Sequence, residues 1–139
     1  MNSNINVCFI KTAALLGALS VALGAFAAHG LKDHLSEQAY SIFEVGVRYQ
    51  FYHVFALALT AILFAYGDAK RLLWAGRLFI LGTILFSGSL YALTFAVDAV
   101  SPTLLKLGII TPFGGVCFIA GWLFLATSFP KIAHRAKVD

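Results

Sequence analysis

Polar and ionisable side chains are concentrated in one stretch of the chain, residues 44–53. It contains an acid, a base, an amide, two phenols and an imidazole: Glu44, Arg48, Gln50, Tyr49, Tyr52 and His53. Together these groups can bind an anion or hydrogen-bond to a ligand or to other helices. Residues 54–67, which follow immediately, carry no charge. Because polar groups beside hydrocarbon are costly and usually face protein or water, we expect any functional site to lie here.

The spacing of the other reactive side chains argues against metal binding and catalysis. His29 and His34 are five residues apart, which is wrong for one helical face, and no cysteine or second nearby carboxylate completes a ligand set. Ser87 or Ser89 with His53 would imitate a nucleophile and base, but no acid at the same depth orients the base. A glycine-rich phosphate loop is also missing from the sequence. We therefore expect no enzymatic activity, no metal and no cofactor.

Four windows without Asp, Glu, Lys or Arg explain how these side chains are positioned. The chain has 139 residues, of which 60% are hydrophobic and only 12% charged, which is too apolar for a soluble domain of this size. The uncharged windows are residues 12–31, 49–67, 78–97 and 107–130. A helix needs roughly 20 apolar residues to cross about 30 Å of hydrocarbon. The sequence therefore predicts an all-α membrane protein with four transmembrane helices.

The boundaries of these helices follow from their caps and charges. Residues 1–139 are expected to form one domain, an up-down bundle with helices at about 7–29, 47–66, 73–97 and 110–129. Gly30 is interpreted as the cap that ends helix 1, and Thr111 and Pro112 as the N-cap and the first residue of helix 4. Between helices 1 and 2, apolar residues recur at helical spacing after Ser36, a suitable N-cap. We interpret this segment as a short amphipathic surface helix that bends at Gly46 into helix 2.

The basic residues indicate the orientation in the membrane. One side of the predicted topology would hold Lys11, Lys70, Arg71, Arg77, Lys131, Arg135 and Lys137, and the other Lys32, Arg48 and Lys106. The excess favours cytoplasmic N- and C-termini. An alternative interpretation takes the first apolar stretch as a signal peptide cleaved after the small residues at 25–27. The bases form no groove studded with aromatic residues, so nucleic acid is not an expected partner.

On this topology, most uncommon polar groups fall in the outer half of the bundle. Arg48 would open helix 2 at the outer interface, so His53 would lie about 7–8 Å deeper. We predict that the outer ends of the helices converge on a polar pocket formed by His29, Arg48, Tyr49, Gln50, His53, Ser87, Ser89 and Tyr91. The inner halves, including residues 56–59, 78–81 and 122–125, are expected to pack as a dry plug.

Each of these residues also has a purely structural interpretation. Glu44 and Arg48 have the favourable order for an i,i+4 ion pair, which is the alternative to Arg48 binding lipid phosphate or another anion. His29 suits the C-terminal end of a helix dipole. His53 needs hydrogen-bond partners below the headgroups, and a bond to another helix would satisfy it.

Five separated motifs resemble one family. They are GAFAAHGL at 24–31, YQFYH at 49–53, FSGSLY at 86–91, TPFGG at 111–115 and Gly121-Trp122. In this order, and over nearly the whole chain, they resemble the small bacterial inner-membrane proteins of the YgdD type. That group is related to eukaryotic transmembrane protein 256 and is classed as domain of unknown function 423. The resemblance implies a multi-pass inner-membrane protein with four helices, and it implies no mechanism and no site.

Two functions are consistent with the sequence. Small residues at helical spacing on helix 1, such as Ala14, Ala18 and Ala22, favour close helix packing in lipid. They indicate a non-catalytic packing or accessory module whose partners are the lipid bilayer and a second copy or a larger membrane complex. The alternative is a binding or transport protein with an outward-facing pocket for a lipid, a quinone or a small ion. Few polar residues lie in the inner halves, which disfavours a complete transport path.

Overall fold

The structure, a computed structural model, describes residues 5–99 and 106–129. Within these ranges every regular element is helical, and the chain forms four helices, the third of which continues from α3 into α4. The helices are α1 (Val7–Phe26), α2 (Glu37–Leu63), α3 (Ala69–Gly82), α4 (Gly88–Asp98) and α5 (Thr111–Ala126). A π-helical turn, Ala27–Leu31, extends α1, and another, Thr83–Ser87, joins α3 to α4. A 3₁₀ turn, Lys106–Ile109, leads into α5.

Three of these helical segments are long and apolar enough to cross a membrane: Val7–Leu31, Ala69–Val97 and Lys106–Ala126. The helix outside this group, α2, contains Arg48, Gln50 and His53. It contacts α1, α3 and α4, so the helix that carries these polar side chains is covered by its neighbours on several sides. This arrangement follows from the cost of polar groups in hydrocarbon, which drives them toward protein.

The separate surface helix predicted between helices 1 and 2 is absent, because α2 runs without interruption from Glu37 to Leu63. The predicted start of helix 2 near residue 47 was therefore wrong. Gly46 does not bend the chain. It is a buried helical residue, and a Cβ at this position would lie only 2.8 Å from the Tyr91 ring. The glycine is needed for close packing against α4, and Ser36 is confirmed as the N-cap, accepting a hydrogen bond from the Ala39 N–H.

Two further boundaries differ from the prediction. The first helix does not end at Gly30, because the π turn extends it to Leu31. The amide of Lys32 donates to the carbonyl of Ala27 at 3.1 Å. Thr111 is the first residue of α5 and not its N-cap. Its hydroxyl instead forms a hydrogen bond with the hydroxyl of Ser89 in α4.

Glycines set the distance between the helices. A Cβ at Gly121 of α5 would lie 2.8 Å from the ring of Phe79 in α3, so the two helices approach closely only because that Cβ is missing. Gly82 receives the ring of Phe118 in the same way. Close approach of this kind replaces the hydrophobic drive that is missing between helices in lipid. By contrast, Gly88 has no neighbouring atom within 4 Å of its Cβ position.

Part of the predicted topology falls on residues that the structure does not describe. Lys131, Arg135 and Lys137, which contribute to the charge asymmetry, lie outside the described residues. The positions of Asp33 and Lys70 are described: Asp33 is exposed in the connection before α2, and Lys70 is exposed at the start of α3. These two sites are therefore suited to testing the orientation.

Candidate functional site

Two polar side chains of α2 lie inside the bundle. Gln50 is 2% exposed and His53 is 6% exposed. Three residues of an α-helix turn its face by about 300°, so these side chains point in neighbouring directions. Each one reaches a different neighbouring helix, and together they form the polar interior of the molecule.

Gln50 links α1, α2 and α4. Its Nε2 donates to the carbonyl oxygen of Leu16 at 3.2 Å, and its Oε1 accepts from the hydroxyl of Tyr91 at 3.0 Å. The Leu16 carbonyl also accepts from the hydroxyl of Ser20 at 2.8 Å. The amide therefore uses both of its ends, which satisfies a buried group that would otherwise cost a few kcal/mol.

His53 also uses both ring nitrogens. Its Nδ1 lies 2.8 Å from the carbonyl oxygen of Tyr49, and its Nε2 lies 3.3 Å from Nε1 of Trp122 in α5. A carbonyl only accepts and an indole N–H only donates. The proton must therefore be on Nδ1, and Nε2 must be the acceptor. The imidazole is neutral, and neither nitrogen is left for a substrate or a metal ion.

Aromatic rings enclose this imidazole. The ring of Phe118 is stacked on it, with centroids 3.4 Å apart and planes inclined by 7°. Phe79 and Trp122 contact it at centroid distances of 5.8 Å and 6.3 Å. These rings cover much of the imidazole, which is only 6% exposed.

Hydroxyl groups complete the interior contacts. Ser89 of α4 donates to the carbonyl of Phe86 at 2.9 Å, and its oxygen lies 2.7 Å from the hydroxyl of Thr111 in α5. Since the single hydrogen of Ser89 is used for the carbonyl, Thr111 is the donor between the two hydroxyls. This hydrogen bond joins the first turn of α5 to the first turn of α4.

Ser87 is the exception among the described residues. Its Oγ is buried, with 0% exposure of the residue, and has no hydrogen-bond partner. Other buried hydroxyls, such as those of Thr60 and Thr94, donate to the carbonyl four residues earlier. At Ser87 that carbonyl belongs to Thr83, which accepts from the Gly88 amide as the π turn closes. The wider turn thus separates the Ser87 hydroxyl from its usual acceptor.

The predicted pocket residues are divided among several environments. Gln50 and Tyr91 are in direct contact, whereas His53 faces α5, and Ser89 contacts Thr111. The ring of Tyr49 stacks on Phe86 at 4.7 Å and is partly exposed.

Two members of the predicted pocket, His29 and Arg48, lie at the surface. His29 is exposed in the π turn after α1, and Arg48 is exposed on α2. Arg48 and Glu44 do not form the predicted ion pair. No described residue forms an ion pair with Arg48.

Trp122 is the important residue that sequence reasoning assigned to the dry plug. It is 45% exposed, yet its indole N–H is the donor to His53. A signal was present in the sequence, because an indole N–H in an apolar helix requires an acceptor. The backbone carbonyls of Leu16 and Tyr49, which accept the other two bonds, carry no sequence signal.

The apolar exterior, the helical fold and the self-contained polar interior define the class: a helical membrane protein whose buried polar groups hold its helices together. The family model described as a protein of unknown function (DUF423) matches residues 23–115. The chain belongs to this family.

Curated relatives extend the match over most of the chain. A UPF0382 membrane protein of Staphylococcus haemolyticus is 42% identical over 120 residues, covering 86% of this chain and 93% of the relative. A UPF0382 membrane protein of Haemophilus influenzae is 42% identical over 118 residues, covering 85% and 90%. The UPF0382 membrane protein YwdK of Bacillus subtilis is 36% identical over 124 residues, covering 88% and 96%. No solved structure matches the chain.

Proposed function

We propose that this protein is a non-catalytic module of the bacterial inner membrane that acts by packing against a second copy or a larger membrane complex. The observation that carries the proposal is the closed polar interior. Gln50 and His53, the buried groups best suited to bind or react, use all their nitrogen and oxygen atoms within the bundle. Among the described residues the unpartnered buried hydroxyl is that of Ser87, which is fully enclosed, so the proposal places the action of the protein at its lipid-facing surface.

The surface of α1 suits such contact. This helix packs on α2 along one face and exposes Ala18, Ala22 and Ala25 on another. Small residues spaced three and four apart allow another helix to approach closely. Two large neighbours, Leu15 and Leu19, are also exposed and would flank the contact.

Association can be tested by counting subunits in bilayers. Fluorescently labelled protein is reconstituted into liposomes at increasing protein-to-lipid ratios, and photobleaching steps are counted. We expect a discrete oligomer that Ala22→Leu weakens, whereas Val116→Leu, at an exposed site on α5, should leave it intact. A monomer at every density, or equal behaviour of the two variants, would rule out the α1 contact.

The proposal includes four crossings with both termini in the cytoplasm. Although α2 is less apolar than the other helices, it is 27 residues long and its polar side chains at 50 and 53 are buried. In a background lacking the free cysteines Cys8 and Cys117, Asp33→Cys should react with an impermeant thiol reagent in intact cells. Lys70→Cys should react only after permeabilisation. The reverse pattern would invert the topology.

Transport, the alternative function, has less support. The interior around His53 is filled by aromatic rings, and the buried hydroxyls of Thr60 in α2 and of Thr83 in the π turn after α3 bond to their own helix backbones. Neither arrangement provides a continuous polar path. Binding without transport is favoured at one place, a surface groove, which is considered next.

A further inference from the structure

A groove runs along the surface between α1 and α2. Its outer part is a cavity of about 350 Å³, lined by Gly24, Ala27, Glu44, Val47, Arg48, Phe51 and Tyr52. Its inner part is a cavity of about 320 Å³, lined by Ile10, Ala13, Ala14, Gly17, Ala18, Val21, Phe51, Val54, Phe55 and Ala58. Phe51 lines both parts, so the two cavities adjoin along the line where α1 meets α2.

The two parts differ in chemistry. All side chains of the inner part are aliphatic or aromatic, whereas the outer part presents one carboxylate, one guanidinium and the phenol of Tyr52. On α1 the inner part extends from Ile10 to Val21, which is about 16 Å of helix. This is close to the thickness of one leaflet, half of a hydrocarbon core of about 30 Å. The charged end lies where the lipid headgroups of that leaflet would be.

The charges at the outer end are separate from one another. Glu44 and Arg48 are both exposed, and no described residue forms an ion pair with Arg48. One helical turn separates them, a rise of about 6 Å. A lone guanidinium would favour any anion, but the neighbouring carboxylate adds a site for a cation. A guanidinium binds a phosphate bidentately, and a carboxylate accepts hydrogen bonds from a primary ammonium.

We propose that the α1–α2 groove binds a zwitterionic glycerophospholipid whose headgroup carries a phosphate and a primary ammonium. The phosphate lies on Arg48, the ammonium on Glu44, and one acyl chain occupies the inner part of the groove. The site adjoins the association surface of α1 and shares Ala18 with it, whereas Ala22 and Ala25 do not line the groove. Because Ala22 lies outside the groove, Ala22→Leu tests the proposed oligomer without filling the lipid site, so the two proposals can fail separately.

The test is lipid retention by the full-length protein. The protein is reconstituted into nanodiscs of phosphatidylcholine containing equal amounts of phosphatidylethanolamine and phosphatidylglycerol, released into mild detergent, and examined by native mass spectrometry. We expect one retained phosphatidylethanolamine per chain in preference to the other two lipids. Arg48→Gln and Glu44→Gln should each reduce its retention about tenfold. Only Arg48→Gln should also reduce the weaker retention of phosphatidylglycerol.

A matched pair of substitutions tests the chain-binding part of the groove. Ala14→Phe fills it from an exposed position on α1 and should abolish retention. Ala92→Phe makes the same change at an exposed position of α4 that does not line the groove, and should have no effect. Thermal unfolding of both variants in detergent controls for folding.

Three results would overturn the proposal. Preference of the wild type for phosphatidylglycerol, or unchanged retention of phosphatidylethanolamine in Glu44→Gln, would exclude a zwitterionic site. Equal retention in Ala14→Phe and Ala92→Phe would show that lipid binds elsewhere. If Ala14→Phe instead converts oligomers to monomers while lipid retention is unchanged, the groove is a contact between copies. The same spectra report oligomeric state, so a failed lipid site is distinguishable from a failed packing module.

Discussion

Two adjacent glycines of α5 provide a sharp test of how this bundle is held together. A Cβ at Gly114 would lie 2.7 Å from the Cβ of Phe86 and 2.8 Å from its Cα. A Cβ at Gly115 would come no closer than 4.0 Å to the Phe86 ring. Gly114→Ala therefore forces α5 away from the π turn of the third helix, whereas Gly115→Ala fits without a clash.

The difference in stability between the two variants can be estimated because the gain in helix propensity is common to both and cancels. Both substitutions gain helix propensity, about 1 kcal/mol for Ala over Gly. Carbon atoms pack best at about 3.5–4.0 Å, so Gly114→Ala requires a displacement of about 1 Å, and overpacking of this kind costs about 1–3 kcal/mol. Neighbouring contacts then lose a quarter to a half of their attraction. We expect Gly114→Ala to be less stable than Gly115→Ala by about 1–3 kcal/mol.

The free energies of unfolding can be measured in mixed micelles by titrating SDS and following helix content by circular dichroism. The backbone location of the clash adds a second check. Phe86→Ala should not rescue Gly114→Ala, because the Cβ and Cα of residue 86 remain. Phe79→Leu should partly rescue Gly121→Ala, since the obstacle there is a ring. Equal stability of the two adjacent variants, within about 0.5 kcal/mol, would refute this packing.

Three further predictions concern the polar interior. Trp122→Phe should destabilise the protein by about 1 kcal/mol, because Nε2 of His53 loses its donor, and a double-mutant cycle with His53→Phe should show the coupling. Tyr91→Phe should cost a similar amount by leaving Oε1 of Gln50 unpaired, and unchanged unfolding would contradict that bond. Ser87→Ala should be neutral or stabilising, because the hydroxyl has no partner; a loss of more than about 1 kcal/mol would mean that the hydroxyl is bonded.

The charge pattern predicted much of the fold. Gaps between charged residues located the helices because a charge is expensive in hydrocarbon, and three of the four windows correspond to apolar helices. The pattern could not predict that α2 begins at Glu37. Amphipathic residues on a membrane surface and residues covered by another helix follow the same period, so the two cases look alike in one sequence. Gly46 was misinterpreted as a bend for the same reason.

The sequence predicted which polar residues are present in this region, but it predicted less well the directions in which their side chains point. Helical geometry alone separates Arg48 from His53: five residues turn a helix by about 140°, so the two side chains cannot face one pocket from the same helix. The prediction placed Arg48 and His53 in one pocket because they lie at similar membrane depths. In the structure they point in different directions around the axis of α2. The partners of His53 and Gln50 could not be predicted, because they depend on which helices are neighbours and on backbone carbonyls.

The polar residues of α2 have different roles according to whether they face the interior of the bundle or its surface. Each bond from Gln50 or His53 reaches across to another helix or is satisfied at the backbone, so removing either residue would loosen the bundle without uncovering a reactive group. Arg48, rotated to the other side of the same helix, has no such partner among the described residues and lines the groove between α1 and α2. One helix thus carries two kinds of polar residue. The residues that face inward stabilise the protein. The residues that face outward are the ones we propose to bind a lipid.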